Sequence, residues 1–111
     1  MPRCKTAAAA PAQTTSVWVS WRAGVGGFHV GARLVSLQCD GLSLMCSVPP
    51  PLGRDAEVLL DFSDGQEHAS AATVAAVRAV QRGVYLVRLQ FPKPCKLAFR
   101  NAALACLEGV E

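Results

Sequence analysis

Cysteine and histidine are the residues of this chain that could bind a metal or act as nucleophiles. The five cysteines and two histidines are Cys4, Cys39, Cys46, Cys95, Cys106, His29 and His68. Metal and redox sites use close pairs such as Cys-x-x-Cys or His-x-x-x-His, and none of these spacings occurs here. We therefore expect reduced thiols in a cytoplasmic protein, with no metal site and no Cys–His nucleophile pair.

Two further motifs could carry chemistry. Asp61, Asp64 and Glu67 surround a turn signal, which is typical of a solvated hairpin end rather than of an acid–base pair. Residues 24–27 are rich in glycine, but a phosphate loop needs a third glycine where His29 stands. No spacing pairs a nucleophile with a base, so the sequence predicts a protein that is not an enzyme and needs no cofactor.

Arginine offers a route to anion binding. The net charge is +3, too small to indicate a DNA- or RNA-binding protein. Arg78, Arg82 and Arg88 nevertheless flank one predicted hairpin, which favours an acidic partner or a phosphate nearby. An alternative function remains open, because aromatic residues interleaved with arginine on a strand can stack bases. That alternative is a small barrel binding single-stranded nucleic acid through Trp18, Arg22 and Arg33.

Short alternating segments predict the elements that must position these residues. Strands are expected at 16–22, 28–37, 42–48, 57–62 and 84–91, with turn signals between them. The first strand places Val17, Val19 and Trp21 on one side and Trp18 on the other. A helix is expected over 96–108. Its apolar stripe is Phe99, Ala102, Ala103 and Cys106.

The segment 68–80 is ambiguous, because six alanines favour a helix by propensity alone. Its β-branched residues and its position between turn signals favour a sixth strand, which is our prediction. The fold expected is mainly β, a small six-stranded antiparallel β-barrel with one C-terminal helix. We expect residues 1–15 to form a flexible tail and residues 16–111 a single domain. No apolar run is long enough to span a membrane, and no secretion signal is recognised.

The segment 32–91 resembles a PilZ domain, the bacterial receptor module for cyclic di-guanosine monophosphate (cyclic di-GMP). The resemblance rests on the strand 32–44 with its Gly41-Leu42-Ser43-Leu44 run, the proline-rich segment 49–52, the strand 58–62 and the closing strand 84–91. The helix that follows fits the family pattern. The resemblance implies a non-catalytic module of cyclic di-GMP signalling.

The resemblance also implies where a ligand would bind. The family signature D/N-x-S-x-x-G falls on Ser36, Gln38 and Gly41, of which only the glycine is retained. The family's R-x-x-x-R pair precedes the first strand, where this chain has only Arg3 and Lys5. With Arg22 these residues form the candidate ligand set. Because the two arginines are missing, we expect weak or lost dinucleotide binding and a role through a protein partner.

Overall fold

The computed structural model describes residues 14–23 and 25–108, which form six strands and one helix. The strands are β1 (Thr14–Ala23), β2 (Gly26–Gln38), β3 (Gly41–Cys46), β4 (Asp55–Phe62), β5 (Glu67–Gln81) and β6 (Val84–Gln90). The helix is α1 (Leu97–Glu108). Residues 1–13 of the predicted tail 1–15 lie outside the described residues. Strand β1 begins two residues before the predicted domain boundary.

The strands close into a barrel in the order β1-β2-β3-β6-β5-β4, and every pairing is antiparallel. The predicted six-stranded antiparallel β-barrel with a C-terminal helix is therefore confirmed. Two strands are long because they pair with their two neighbours along successive halves and not along the same residues. The first half of β2 pairs with β1 and its second half with β3. Strand β5 likewise pairs first with β4 and then with β6.

The core consists of the inward-facing residues of these strands. Alternation predicts Val17, Val19 and Trp21 on one side of β1, and all three are buried. Leu42, Leu44 and Cys46 of β3 follow the same rule, as do Val58 and Leu60 of β4 and Val87 and Leu89 of β6. Phe28 is 47% exposed at the start of β2 and stacks on Trp21 with ring centroids 5.1 Å apart.

The ambiguous segment is a strand, as predicted. Its register with β4 places Ala72 inward opposite Ala56, and both side chains are buried. A register shift between Val74 and Ala76 then lets the chain continue alongside β6. Tertiary pairing on both edges thus overrides the helix propensity of alanine.

Helix α1 closes the barrel. It contacts β2 and β5, which are not neighbours in the ring of strands. Its predicted stripe is buried, and Phe99 packs edge-on against Phe91 with ring centroids 6.0 Å apart. A helix that touches two separated strands and joins their core must cross the opening between them. In the part of the chain that the structure describes, no helix has the length and apolar character needed to cross a bilayer.

Candidate functional site

Three of the predicted ligand residues lie together where β2 turns into β3. A register shift between Leu34 and Ser36 places Ser36 opposite Ser43 and Gln38 opposite Gly41. Gln38 Nε2 donates a hydrogen bond of 2.9 Å to Ser36 Oγ. Gln38 Oε1 is buried and has no hydrogen-bond partner among the described residues. The Gln38 amide thus keeps an unsatisfied acceptor at this turn, and a bound N–H group could satisfy it only after the side chain turns outward.

Gly41 is required there by a close approach and not by a left-handed backbone. Its φ is not positive, unlike that of Gly53, Gly65 and Gly83. A Cβ built at Gly41 collides with the carbonyl oxygen of Leu89 and comes within 3.1 Å of Gln90 Cα. Absence of a side chain thus allows β3 to lie tightly against β6.

One arginine borders this turn. Arg88 lies opposite Ser43 on the outer face of β6, and its Nη2 is 3.5 Å from Asp40 Oδ1. Both side chains are about half exposed, so this ion pair is weak. A phosphate near Ser36 and Gln38 would meet the Arg88 guanidinium, which is already shared with a carboxylate.

Arg22 does not join this group. It lies opposite Gly27, near the start of β2, whereas Ser36 lies near the end of that strand. Nine residues of extended chain separate Gly27 from Ser36, roughly 30 Å. The other two predicted ligand residues, Arg3 and Lys5, lie outside the described residues. The four described residues of the candidate ligand set are therefore divided between two ends of the barrel.

Arg22 instead borders an open cleft of about 780 Å³ at the β1–β2 hairpin. Arg54 crosses the cleft and donates a hydrogen bond of 2.8 Å from Nη1 to the carbonyl oxygen of Arg22. Asp55 and Glu57 line the same cleft, so its two cations are balanced by two anions. Sequence reasoning did not single out Arg54, because its turn signal says nothing about which distant strand it reaches.

The nucleic-acid alternative places its residues on one outer wall. Trp18 and Arg22 share the outer face of β1, and Arg33 follows two residues after Gly31, the cross-strand neighbour of Trp18. His29 covers one face of the Trp18 ring at a centroid distance of 4.5 Å. The indole Nε1 donates to Asp61 Oδ2 at 3.1 Å. One ring face is therefore occupied, and a carboxylate lies at the ring edge.

The thiols and histidines do not converge. Among residues 14–23 and 25–108, no group of three potential metal ligands lies close enough to hold an ion. Cys46 is buried, and this burial raises the pKa of its thiol above the ordinary value because the thiolate is poorly solvated. Cys39 is exposed at the β2–β3 turn.

Comparisons of the chain with protein-family models, with curated proteins and with solved structures found no match. The resemblance to PilZ domains therefore stays a prediction from the sequence.

Proposed function

We propose that this chain is a non-catalytic PilZ-like module of cyclic di-GMP signalling in the bacterial cytoplasm. It acts as a receptor or adaptor whose dinucleotide binding is weak or lost, and it works through contacts with a protein partner. The observation that carries the proposal is the grouping of Ser36, Gln38 and Gly41 at the β2–β3 turn, where Gln38 Oε1 has no hydrogen-bond partner among the described residues. The order of six strands and a closing helix is consistent with it.

The expected affinity for cyclic di-GMP depends on how many positive side chains face its phosphates. A dinucleotide carries two phosphates, while among the described residues this turn offers the Arg88 guanidinium, which is paired with Asp40. Each missing charge-assisted hydrogen bond removes about 1.5–3 kcal/mol. Two such losses weaken binding by about two to four orders of magnitude. The adaptor role follows from this deficit, because the barrel is retained while the phosphate contacts are not.

Titration with labelled cyclic di-GMP tests whether the chain binds this dinucleotide weakly or not at all. The native chain should bind weakly or not at all. Low-micromolar binding that disappears in the Ser36→Ala, Gln38→Ala double variant would overturn this expectation. A matched control, Ser20→Ala, removes a hydroxyl at the other end of the barrel and should leave any binding unchanged.

A gain-of-function variant tests the kinship itself. Ser36→Asn with Gln38→Ser restores the family signature around Gly41. If the turn is a degenerate PilZ site, this double variant should bind cyclic di-GMP at least about tenfold more tightly than the native chain. Equal or weaker binding by a correctly folded variant counts against the family assignment.

The alternative, a barrel for single-stranded nucleic acid, is disfavoured by its surroundings. The carboxylates of Glu57 and Asp61 lie on β4, the strand next to Trp18, and they repel a phosphate backbone. We expect no binding of a labelled oligothymidylate at low salt. Binding that weakens steeply with salt and is lost on Trp18→Ala would favour the alternative instead.

A further inference from the structure

Three chain connections meet at one end of the barrel. Every neighbouring pair of strands is antiparallel, so β1, β3 and β5 all run towards the same end. The connections β1–β2, β3–β4 and β5–β6 therefore lie there, and we call this the loop end (residues 22–23, 25–28, 47–54 and 80–83). Helix α1 follows β6, which runs in the opposite direction. The helix thus begins at the other end of the barrel.

Exposed apolar side chains are concentrated at the loop end. Each of the three connections carries one aliphatic tip: Val25 is fully exposed, Leu52 is 67% exposed and Val80 is 50% exposed. Phe28 and Val48 add two side chains there that are about half exposed. Among the described residues eight large apolar side chains are exposed, and these are five of them. Single exposed apolar residues are ordinary, but their concentration at one end indicates a surface that something covers.

An arginine accompanies each of these aliphatic tips. Arg22, Arg54 and Arg82 each lie within three residues of the tip of their connection, and all three are exposed. The first two border the cleft described above, where two carboxylates balance their charges. Arg82 and the exposed Arg78 have no such balance, because β5 and β6 contain no acidic residue beyond Glu67, at the far end of β5. The loop end is therefore apolar at its tips and carries an excess of positive charge.

The three aliphatic tips stand side by side along the rim of the loop end. Leu52 leads into β4, which lies between β1 and β5 in the ring of strands. Two backbone hydrogen bonds hold this turn against β5: Gly53 N donates to the Val74 carbonyl oxygen at 2.8 Å, and Val74 N donates to the Arg54 carbonyl oxygen at 2.9 Å. The tips are therefore held in place as separate projections, and they do not form one groove.

Separate apolar tips with neighbouring cations fit a lipid surface better than a protein groove. A protein partner would need a matching pocket for every tip. A bilayer is a soft plane that accepts each aliphatic side chain at the boundary between headgroups and acyl chains. Arginine suits the same boundary, because its guanidinium binds lipid phosphate while its apolar stem lies among the chains.

We propose that the loop end binds the surface of a bilayer that contains anionic lipids. Val25, Leu52 and Val80 insert at the headgroup boundary, and the arginines beside them bind lipid phosphates. The contact is attachment to a surface and not a span. This inference does not depend on the proposed signalling function, because the β2–β3 turn lies at the other end of the barrel.

The number of tips and of unbalanced arginines determines the affinity for lipid. Partial burial of one aliphatic side chain strengthens binding about threefold to tenfold. One arginine near an anionic surface strengthens it about fivefold. Three tips and two unbalanced arginines should therefore bind reversibly, with a preference of about 10–30-fold for anionic over neutral vesicles.

Co-sedimentation with sucrose-loaded vesicles tests the proposal. At about 100 mM salt the native chain should pellet with vesicles of equal parts phosphatidylglycerol and phosphatidylcholine. Vesicles of phosphatidylcholine alone should need about 10–30-fold more lipid to pellet the same fraction of the protein. A chain that stays in the supernatant with the anionic vesicles overturns the proposal. Equal binding to both kinds of vesicle contradicts the role given to the arginines.

Variants of exposed apolar residues identify the end that binds. Val25→Ser with Leu52→Ser removes two tips that contribute nothing to the buried core, and it should weaken binding to the anionic vesicles about tenfold or more. The matched control Leu97→Ser with Leu104→Ser removes two exposed leucines of α1 and should bind like the native chain. Equal losses in the two double variants would mean that general apolarity and not the loop end drives binding.

A second pair of variants separates the position of a charge from net charge. Arg82→Gln should weaken binding to the anionic vesicles about fivefold. Lys93→Gln removes the same charge from an exposed position near the start of α1 and should change binding less than about twofold. If the two variants lose affinity equally, net charge and not the loop end is responsible, and the proposal fails. Circular dichroism confirms that each variant is folded.

Discussion

Gly41 shows how one residue sets the spacing of two strands. A Cβ at this position collides with the carbonyl oxygen of Leu89, and backbone atoms cannot rotate away as a flexible side chain can. Gly41→Ala should therefore destabilise the barrel by roughly 1–3 kcal/mol, measured by urea unfolding. Gly31→Ala is the control, since its Cβ meets only the Trp18 ring at 3.7 Å. That variant should be neutral or stabilised by up to about 1 kcal/mol; equal losses in both variants would contradict the close-approach argument.

Cys46 links stability to alkaline pH. Its pKa is raised in the folded state by burial, so folding favours the neutral thiol. This contribution is fully present below the ordinary thiol pKa of about 8.5 and is lost as pH rises through the higher folded value. We expect the stability difference between the native chain and Cys46→Ala to shrink from pH 7 to pH 10. The two proteins differ only at this residue, so a constant or growing difference is the contrary result.

Strand β5 joins two parts of the barrel, because its first half pairs with β4 and its second half with β6. Val74 lies at the change of neighbours and is fully buried, whereas Val80 is 50% exposed near the end of the same strand. Val74→Ala should cost about 1.5–3 kcal/mol of unfolding free energy, and Val80→Ala less than about 0.5 kcal/mol. Similar costs at the two positions would mean that the burial pattern of β5 is wrong.

The strands were predictable where alternation is regular and less so where the register shifts. The buried residues Val17, Val19 and Trp21 of β1 recur every second position, as in a regular strand. The buried stripe of α1 that contains Phe99 recurs every three to four positions, as in a regular helix. The bends of β2 and β5 are irregular, since one extra residue is accommodated near Val35 and another near Ala75. Local patterns do not reveal where a strand exchanges one neighbour for another, because that depends on pairing with distant segments.

In the candidate site, too, the local grouping of residues was predictable and the distant contacts were not. Ser36, Gln38 and Gly41 are close in sequence, so their grouping followed from one predicted turn. The separation of Arg22 from them could not be read from the sequence, because it depends on β2 running the full length between the two ends of the barrel. Arg54 was missed for a similar reason: its contact with Arg22 joins residues 32 positions apart.

At the scale of the whole molecule, closure makes the barrel a single cooperative unit. Strand β1 pairs with β2 through a hairpin but with β4 across 35 to 48 residues, as in Trp21 opposite Ala56 and Thr14 opposite Phe62. Neither half of the barrel has a complete core without the other, since the buried residues of all six strands and the helix form one cluster. Closure across such sequence distances should also make folding slow, in the range of about milliseconds to seconds.

Unfolding should therefore be two-state. Tryptophan fluorescence reports on β1, where Trp21 is buried, and far-ultraviolet circular dichroism reports on all strands and α1 together. We expect the two signals to give the same urea midpoint in the native chain, and to shift together in Val74→Ala, although Val74 lies on β5 and Trp21 on β1. If the fluorescence midpoint stays fixed while the dichroism midpoint moves, β1 and β5 belong to separate folding units, and the closed barrel does not unfold as one body.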